Sequence, residues 1–316
     1  MSSNYSPSNG LLLWGYEIYL RSISCIEQSN CIYEFNYAPF PITNYWVQPR
    51  YSYTEEFFDN QNSLLTESFT DYASNNPKHT FPISQRTTNS LGETLKTEYQ
   101  YPLDLPNKPQ AEKLISANRI SEPLVVKSYN NGNLVSQQET VYGDFIGLTL
   151  PKFVYAKKGA YPEEKKISYD WYDNKGNLMQ YTLENGIPVS IIWGYNGQYP
   201  IAKIEGVAYS QISNSFIQDL KGKSNDDNDR CTGMDEDDCA EAKFRKRLND
   251  LRINNLFVEN PAMITGYTYD PLIGVTSIIQ PNGQIEYYEY DDAGRLEYIK
   301  DHNGKVIKRM EYHYKN

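Results

Sequence analysis

The sequence predicts a mainly β protein, an antiparallel meander of strands with a helical insertion near residues 206–260. Three observations lead to this fold class. A short turn motif recurs along the chain. Tyrosines stand two residues apart between the turns, as side chains on one face of a strand do. Apolar residues take a helical spacing chiefly inside the insertion.

Composition narrows the classes of function. The chain has 30 basic and 40 acidic side chains, and a net charge of −10 argues against binding to nucleic acid or to an anionic membrane. The 29 tyrosines must supply much of the buried area. No apolar run approaches the ~18 residues of a membrane span. The N-terminus lacks a basic region, so we expect no signal peptide in this chain.

The recurring motif reads Tyr-Asp-x-x-Gly-[Asn/Arg]-Leu, followed eight residues after the leucine by the glycine of an Asn-Gly pair. Two copies match in spacing, and a third is one residue longer before its glycine. Because internal repeats mark repeat architectures, we take this register as the organising unit of the chain. The three copies consist of Tyr172, Asp173, Gly176, Leu178 and Gly186; of Tyr290, Asp291, Gly294, Leu296 and Gly304; and of Tyr269, Asp270, Gly274 and Gly283.

The chemistry of the unit predicts a structural role for these residues. An aspartate after a strand-ending tyrosine accepts hydrogen bonds from backbone N–H groups two residues on, and the following glycine takes a positive φ. Asn-Gly is the strongest short signal for a type I′ hairpin turn. Each unit therefore predicts two short strands and two reversals.

The aromatic residues allow two interpretations. Tyr-x-Tyr places two rings on one face of a strand, where they form a packing ladder across neighbouring strands. The alternative is a sugar-stacking platform of exposed rings, for which Trp171, Trp193 and Tyr199 are the candidates. Three or more coplanar rings in a groove would favour sugar, and interdigitated rings would favour packing.

The run from Tyr290 to Leu296, followed by Asp301 and Gly304, resembles the YD repeat, also called the RHS repeat, of long bacterial surface and secreted proteins and of teneurins. The resemblance covers 167–204 and 262–316, and is looser over 45–142. It implies a spiralling β-sheet that closes as a hollow shell around a polypeptide, in several cases a toxin. It also implies that this chain matches the C-terminal part of a longer array.

The remaining chain divides into four predicted regions. Residues 1–40 form an irregular or edge segment, 41–205 a β-meander with YD-type repeats, 206–260 a helical acidic insertion and 261–316 the C-terminal YD repeats. Within the meander the alternation predicts four strands and the breaker at 101–109 predicts a following helix. These elements are Trp46–Phe58, Ser63–Tyr72, His79–Thr88, Glu93–Tyr101 and helix Gln110–Asn118.

Inside the insertion, apolar spacing predicts helices over Ile212–Leu220 and Asp238–Asn254. The stretch from Ser224 to Glu241 contains eight acidic residues and one arginine, Arg230. Glu241 stands four residues before Arg245, a spacing that favours an ion pair on a helix. The acidic run suggests a calcium loop. An EF-hand needs glycine at its sixth position, where this chain has Cys231, so we expect no metal.

Local motifs for catalysis are lacking. The carboxylate pairs Glu55-Glu56 and Glu163-Glu164 are adjacent and point to opposite faces of a strand. Asp270-Pro271 resembles a self-cleaving Asp-Pro segment, but its spacing is one residue too long. The cysteines fall as two close pairs, Cys25 with Cys31 and Cys231 with Cys239, which leaves local disulfides or inert thiols open.

We therefore expect a non-catalytic structural segment without cofactors, part of an extracellular or cell-surface β-shell that encloses or displays another polypeptide. Its expected partners are upstream repeats of a longer parent chain and the enclosed or neighbouring polypeptide, with carbohydrate as the alternative partner. Strand edges at Tyr16–Ser24 and Val306–Tyr314 should be unpaired, which predicts self-association when the chain is made alone.

Overall fold

A computed structural model of the chain describes residues 12–27, 30–43, 48–58, 63–73, 79–89, 91–227, 239–253 and 262–314. These residues form strands and three α-helices, and they confirm the predicted mainly β class. The strands are β1 Leu12–Glu27, β2 Asn30–Thr43, β3 Tyr51–Phe57, β4 Ser63–Tyr72, β5 Pro82–Thr88, β6 Thr94–Gln100, β7 Val125–Asn130, β8 Asn133–Phe145, β9 Leu148–Lys158, β10 Glu164–Tyr172, β11 Leu178–Leu183, β12 Pro188–Gly194, β13 Tyr199–Glu205, β14 Met263–Asp270, β15 Gly274–Ile279, β16 Ile285–Tyr290, β17 Leu296–Lys300 and β18 Val306–Arg309.

The main sheet has 16 strands, from β3 to β18, in the order of the chain. Every neighbouring pair is antiparallel, so the sheet is the meander that the repeats predict. The sheet is open, with β3 at one end and β18 at the other. Upstream, β4 has the predicted bounds, and β3 begins later than predicted, at Tyr51.

The three helices confirm the predicted helical segments. They are α1 Pro109–Ser116, α2 Asn214–Asp226 and α3 Ala240–Ile253. The second helix extends beyond its predicted end at Leu220, because Ser224 is fully buried and its hydroxyl oxygen accepts the Tyr195 N–H at 3.1 Å. Apolar spacing alone cannot signal a helical turn anchored by a serine.

The main core lies between α2, α3 and one face of strands β12 to β15. The register places Ile192 opposite Ala202 and Ile204 opposite Ile264, so these side chains share the face that the helices cover. A smaller core lies where α1 packs against Leu124 and Val125. The fully buried members of the main core include Ile192, Ile201, Ile204, Leu220, Phe244, Leu248, Leu251 and Ile279.

Away from these cores the sheet is partly exposed on both faces. Every residue of β6 and of β17 is at least partly exposed, whichever face its side chain takes. Every residue of β3 and of β18 is exposed. Most of the sheet is therefore a single layer.

The N-terminal segment is regular where the structure describes it. The sequence predicts an irregular or edge segment over residues 1–40, with an unpaired strand edge at Tyr16–Ser24. In the structure β1 pairs with β2 along that stretch. The pair forms its own two-stranded sheet, and no other described strand pairs with the outer edge of β1, as the prediction of an unpaired edge requires. The four proposed region boundaries stay predictions.

Candidate functional site

One turn geometry recurs through the repeats. The Gly176 N–H donates to the Asp173 carbonyl at 3.0 Å, and the Asp173 N–H donates to the Asn177 carbonyl at 2.9 Å. The Asp173 carboxylate also accepts the N–H groups of Lys175 and Asn177 at 2.9 and 2.8 Å. Gly176 has φ +84°. Asp291 makes the corresponding four bonds around Gly294, which has φ +72°.

The Asn-Gly pairs use the same turn, which corrects the type I′ prediction. At Asn185, Asn282 and Asn303 φ is not positive, and only the following glycine is left-handed. Each glycine N–H closes on the carbonyl three residues back, as in a type I turn followed by a glycine bulge. Asn131 and Gly132, which connect β7 to β8, differ from these pairs because both have positive φ, as a type I′ turn requires. The left-handed glycines are Gly186, Gly283 and Gly304.

The unit that starts at Tyr269 is built differently. Ile273 N–H bonds the Asp270 carbonyl at 3.0 Å, and the left-handed residue of this turn is Leu272, with φ +71°. Gly274 does not have positive φ, contrary to its place in the motif. It opens β15 and lies against the Tyr290 ring.

A second recurrent contact, which sequence reasoning missed, links the strands. Five aromatic residues, each at a strand end or within three residues of one, donate a polar hydrogen to a backbone carbonyl near the start of the preceding strand. Each accepting residue sits at a register irregularity, where the ladder leaves a carbonyl unpaired. We call these donors the aromatic seam: Tyr172 to Pro151 (2.7 Å), Trp193 to Leu178 (2.8 Å), Tyr269 to Pro200 (2.8 Å), Tyr290 to Val275 (2.9 Å) and Tyr312 to Leu296 (2.9 Å).

The seam is continuous because each donor stands opposite the next acceptor. Tyr172 is the cross-strand partner of Leu178, whose carbonyl binds Trp193. Trp193 is in turn opposite Pro200, whose carbonyl binds Tyr269. Burial raises the pKa of Tyr172 and of Tyr269, which keeps both phenols protonated as donors.

The three candidate sugar-stacking rings have different surroundings. Trp171 is 46% exposed and meets Tyr209 edge-on at 5.5 Å. Trp193 belongs to the seam. Tyr199 stacks on Tyr269 at 4.8 Å, and both rings stand perpendicular to Tyr195. Among the ring contacts of the described residues, none joins two of the three candidates.

A buried polar cluster fastens α3 to the sheet. Arg245 donates to Glu241 at 2.9 Å, as the four-residue spacing predicts, and both side chains are at least nine-tenths buried. The same carboxylate oxygen accepts the hydroxyls of Thr268 and Thr276, each at 2.8 Å. The Arg245 guanidinium also lies 5.2 Å from the Tyr287 ring centre. The sequence predicted the pair but not its burial.

Tyr195 lies next to α2, and its hydroxyl makes two hydrogen bonds. Its hydroxyl donates to Asp227 at 2.5 Å and accepts the Tyr269 N–H at 2.9 Å. Burial, together with the Asp227 carboxylate, raises its pKa far above the ordinary value. These contacts bind the end of α2 to the seam.

In the described ranges no three His, Cys, Asp or Glu side chains cluster as metal ligands. Residues 228–238 lie outside the described residues. They include Cys231 and most of the suggested calcium loop. Cys239 is disulfide-bonded, and the hairpin register places Cys25 opposite Cys31. No described helix has the length and apolarity needed to cross a membrane.

A groove of about 700 Å³ opens on strands β3 to β8. Its lining is mostly hydroxyl and amide side chains, among them Ser68, Thr87, Thr97, Ser128 and Asn130. The Asn130 side-chain oxygen is buried there without a hydrogen-bond partner in the described structure. The groove therefore offers hydrogen-bonding groups to an extended polar ligand.

Comparison with solved structures finds toxin-complex proteins at low similarity. A crystal structure of TcdB2-TccC3 matches 77% of this chain at 12% identity with a TM-score of 0.29. A crystal structure of TcdB2-TccC3-Cdc42 matches 82% of this chain at 13% identity with a TM-score of 0.28. A structure of a Photorhabdus luminescens Tc holotoxin pore matches 78% of this chain at 13% identity with a TM-score of 0.26. The chain spans 13% to 16% of the length of these solved chains. No protein-family model and no curated protein matches the sequence.

Proposed function

We propose that this chain is a non-catalytic repeat segment of an extracellular protein, forming part of a β wall that encloses or displays another polypeptide. The partial exposure of both faces along β6 and β17 carries the proposal. A globular antiparallel sheet buries one face. A wall between an inner and an outer space leaves both faces partly accessible.

Two further features accord with this role. The aromatic seam satisfies the carbonyls that the bulges release, so the single layer keeps its hydrogen bonds without a second sheet. The disulfide at Cys239 suits an exported protein, because disulfides persist in oxidising compartments. The YD-repeat resemblance of the sequence points the same way.

We assign the groove on β3 to β8 as the surface that meets the polypeptide. Its hydroxyl and amide groups suit a peptide backbone, which carries both N–H donors and carbonyl acceptors. Such contacts hold an extended segment with little dependence on its sequence, which suits a wall for diverse contents.

A fused reporter tests this role. An unstructured, protease-sensitive peptide is attached by a flexible linker after Asn316, and its digestion rate is compared with the same peptide on an unrelated monomeric domain. We expect several-fold slower digestion on the repeat chain. The variant Thr97→Arg with Ser128→Arg, which fills the groove, should restore the faster rate. Equal rates on all three carriers would contradict the proposal.

The carbohydrate alternative has one favourable observation, the exposed ring of Trp171. Affinity electrophoresis through gels containing different polysaccharides tests it. Retardation that disappears in Trp171→Ala but persists in Trp193→Phe would favour a carbohydrate-binding surface. Migration that no polysaccharide changes would contradict the carbohydrate-binding alternative.

A further inference from the structure

The two ends of the sheet carry opposite charges. The outer strand β3 contains Glu55 and Glu56, and the outer strand β18 contains Lys308 and Arg309. No other described strand pairs with the outer edge of either. We propose that β3 of one copy pairs with β18 of a second copy, so that two chains join head to tail in one continuous sheet. This pairing is independent of the proposed wall function.

Strand direction permits the pairing. Neighbouring strands alternate in direction, and an even number of strands separates β3 from β18, so the two ends run in opposite directions. A second copy in the same orientation therefore presents β3 as an antiparallel partner for β18. The contact is heterologous and extends the sheet without reversing either face.

The faces also match. Cross-strand partners share a face, and following the register strand by strand from β3 to β18 places Glu55 and Arg309 on the face that bears the helices. Glu56 and Lys308 lie on the other face. The register that sets Glu55 opposite Arg309 also sets Glu56 opposite Lys308. Each acid then meets a base on its own side of the sheet.

The groups involved are available for a partner. Among the described residues Glu55, Glu56 and Lys308 have no ion pair, and Arg309 has an exposed one with Glu311 at 3.3 Å. Phe57 and Ile307 flank these two pairs and are 77% and 60% exposed, and Ile307 lies at a register shift of β18. Pairing thus covers two apolar side chains besides joining two pairs of charges.

Charged side chains on an edge strand can also have a protective role, because they prevent edge-to-edge aggregation. The two roles differ in their response to charge reversal. If the charges only guard the edges, reversing one edge leaves the chain monomeric. If they specify a partner, reversal abolishes association, and reversing the complementary edge restores it.

Sedimentation velocity across a hundredfold concentration range on the 316-residue chain provides the test. We expect the weight-average mass of the native chain to rise with concentration. The variant Glu55→Lys with Glu56→Lys, and the variant Lys308→Glu with Arg309→Glu, should each associate at least about tenfold more weakly. An equimolar mixture of the two should regain association, because each edge of one then complements an edge of the other.

The matched control for the β3 reversal is Glu112→Lys with Glu163→Lys, which changes the net charge by the same amount as Glu55→Lys with Glu56→Lys. Both control sites are exposed and lie away from both edges, so this variant should associate like the native chain. Circular dichroism confirms that each variant is folded. If a reversal variant is unfolded, Glu55→Gln with Glu56→Gln replaces it and should weaken association. A native chain that stays monomeric over the whole concentration range overturns the proposal. This holds also if β3 and β18 of the same chain pair with each other. Association that survives both reversals overturns it equally.

Discussion

The indole N–H of Trp193 donates to the carbonyl oxygen of Leu178 at 2.8 Å, and the hydroxyl of Tyr312 donates to the carbonyl of Leu296 at 2.9 Å. Both acceptors are the leucine of the Tyr-Asp-x-x-Gly motif. The motif therefore supplies a turn, a bulge and an unpaired carbonyl, and the next strand supplies the donor that pairs it. This coupling explains why the aromatic residues keep register with the turns.

We expect the variant Tyr172→Phe to lose about 1–2 kcal/mol of unfolding free energy. The phenol bonds the Pro151 carbonyl at 2.7 Å, and removing it leaves that carbonyl unpaired beside a buried ring. Urea denaturation followed by circular dichroism measures the change. The control is Tyr161→Phe, because Tyr161 is 72% exposed. Equal stabilities of the two variants would contradict the role of the seam.

The raised pKa of a partly buried tyrosine predicts loss of stability in alkali. Burial, assisted by a hydrogen bond to Glu286, raises the pKa of Tyr288 to about 12. The unfolded chain releases this proton near pH 10, so the contribution of Tyr288 is complete below pH 10 and is lost as pH rises towards 12. We expect melting temperatures to fall steeply over that window. Tyr288→Phe should flatten the fall, and Tyr161→Phe should not.

Gly274 is required by Tyr290 rather than by its own backbone conformation. A β-carbon at Gly274 would lie 2.2 Å from the Tyr290 hydroxyl oxygen and 2.7 Å from the ring carbon that bears it. We expect Gly274→Ala to destabilise the chain by about 1–3 kcal/mol. The cost should shrink in a Tyr290→Leu background, where the ring is absent. A double-mutant cycle that gives additive effects would contradict this contact.

Leu272 occupies a position that suits glycine. In the turn Asp270 to Ile273, proline stands second and Leu272 third, with φ +71°, which is the type II arrangement. Leu272 is also 95% exposed, so its side chain contributes little packing. We expect Leu272→Gly to raise the unfolding free energy by about 0.5–1 kcal/mol. Gly283→Ala, at φ +88°, should have the opposite sign.

These examples show which parts of the structure the sequence could predict. Asp173 and Gly176 have local partners, so their spacing is enough to predict a turn. The Asn-Gly turn type was wrong at Asn185 because the bulge that fixes it depends on strand pairing. The seam bonds join residues 15 or more apart, so no local pattern reveals them. Leu272 has a positive φ, although that conformation usually requires glycine, so its sequence position did not reveal the turn.

The burial of the Glu241–Arg245 pair gives the sharpest mutational test of how α3 is held. Removing the carboxylate leaves a cation at least nine-tenths buried and two hydroxyls, of Thr268 and Thr276, without their acceptor. We expect Glu241→Ala to lower the unfolding free energy by about 3–5 kcal/mol, because an unpaired buried charge is far costlier than a lost surface ion pair.

The double variant Glu241→Leu with Arg245→Met should recover most of that loss, since it removes both charges and keeps apolar volume over the sheet. Chemical denaturation of the native chain, Glu241→Ala and the double variant measures the loss and the recovery, with the exposed Glu112→Ala as control. If Glu241→Ala loses no more stability than this control, the pair lies in water and α3 is held by its apolar face alone. A double variant as unstable as Glu241→Ala would instead assign the loss to the threonine hydroxyls, because their acceptor is missing in both proteins.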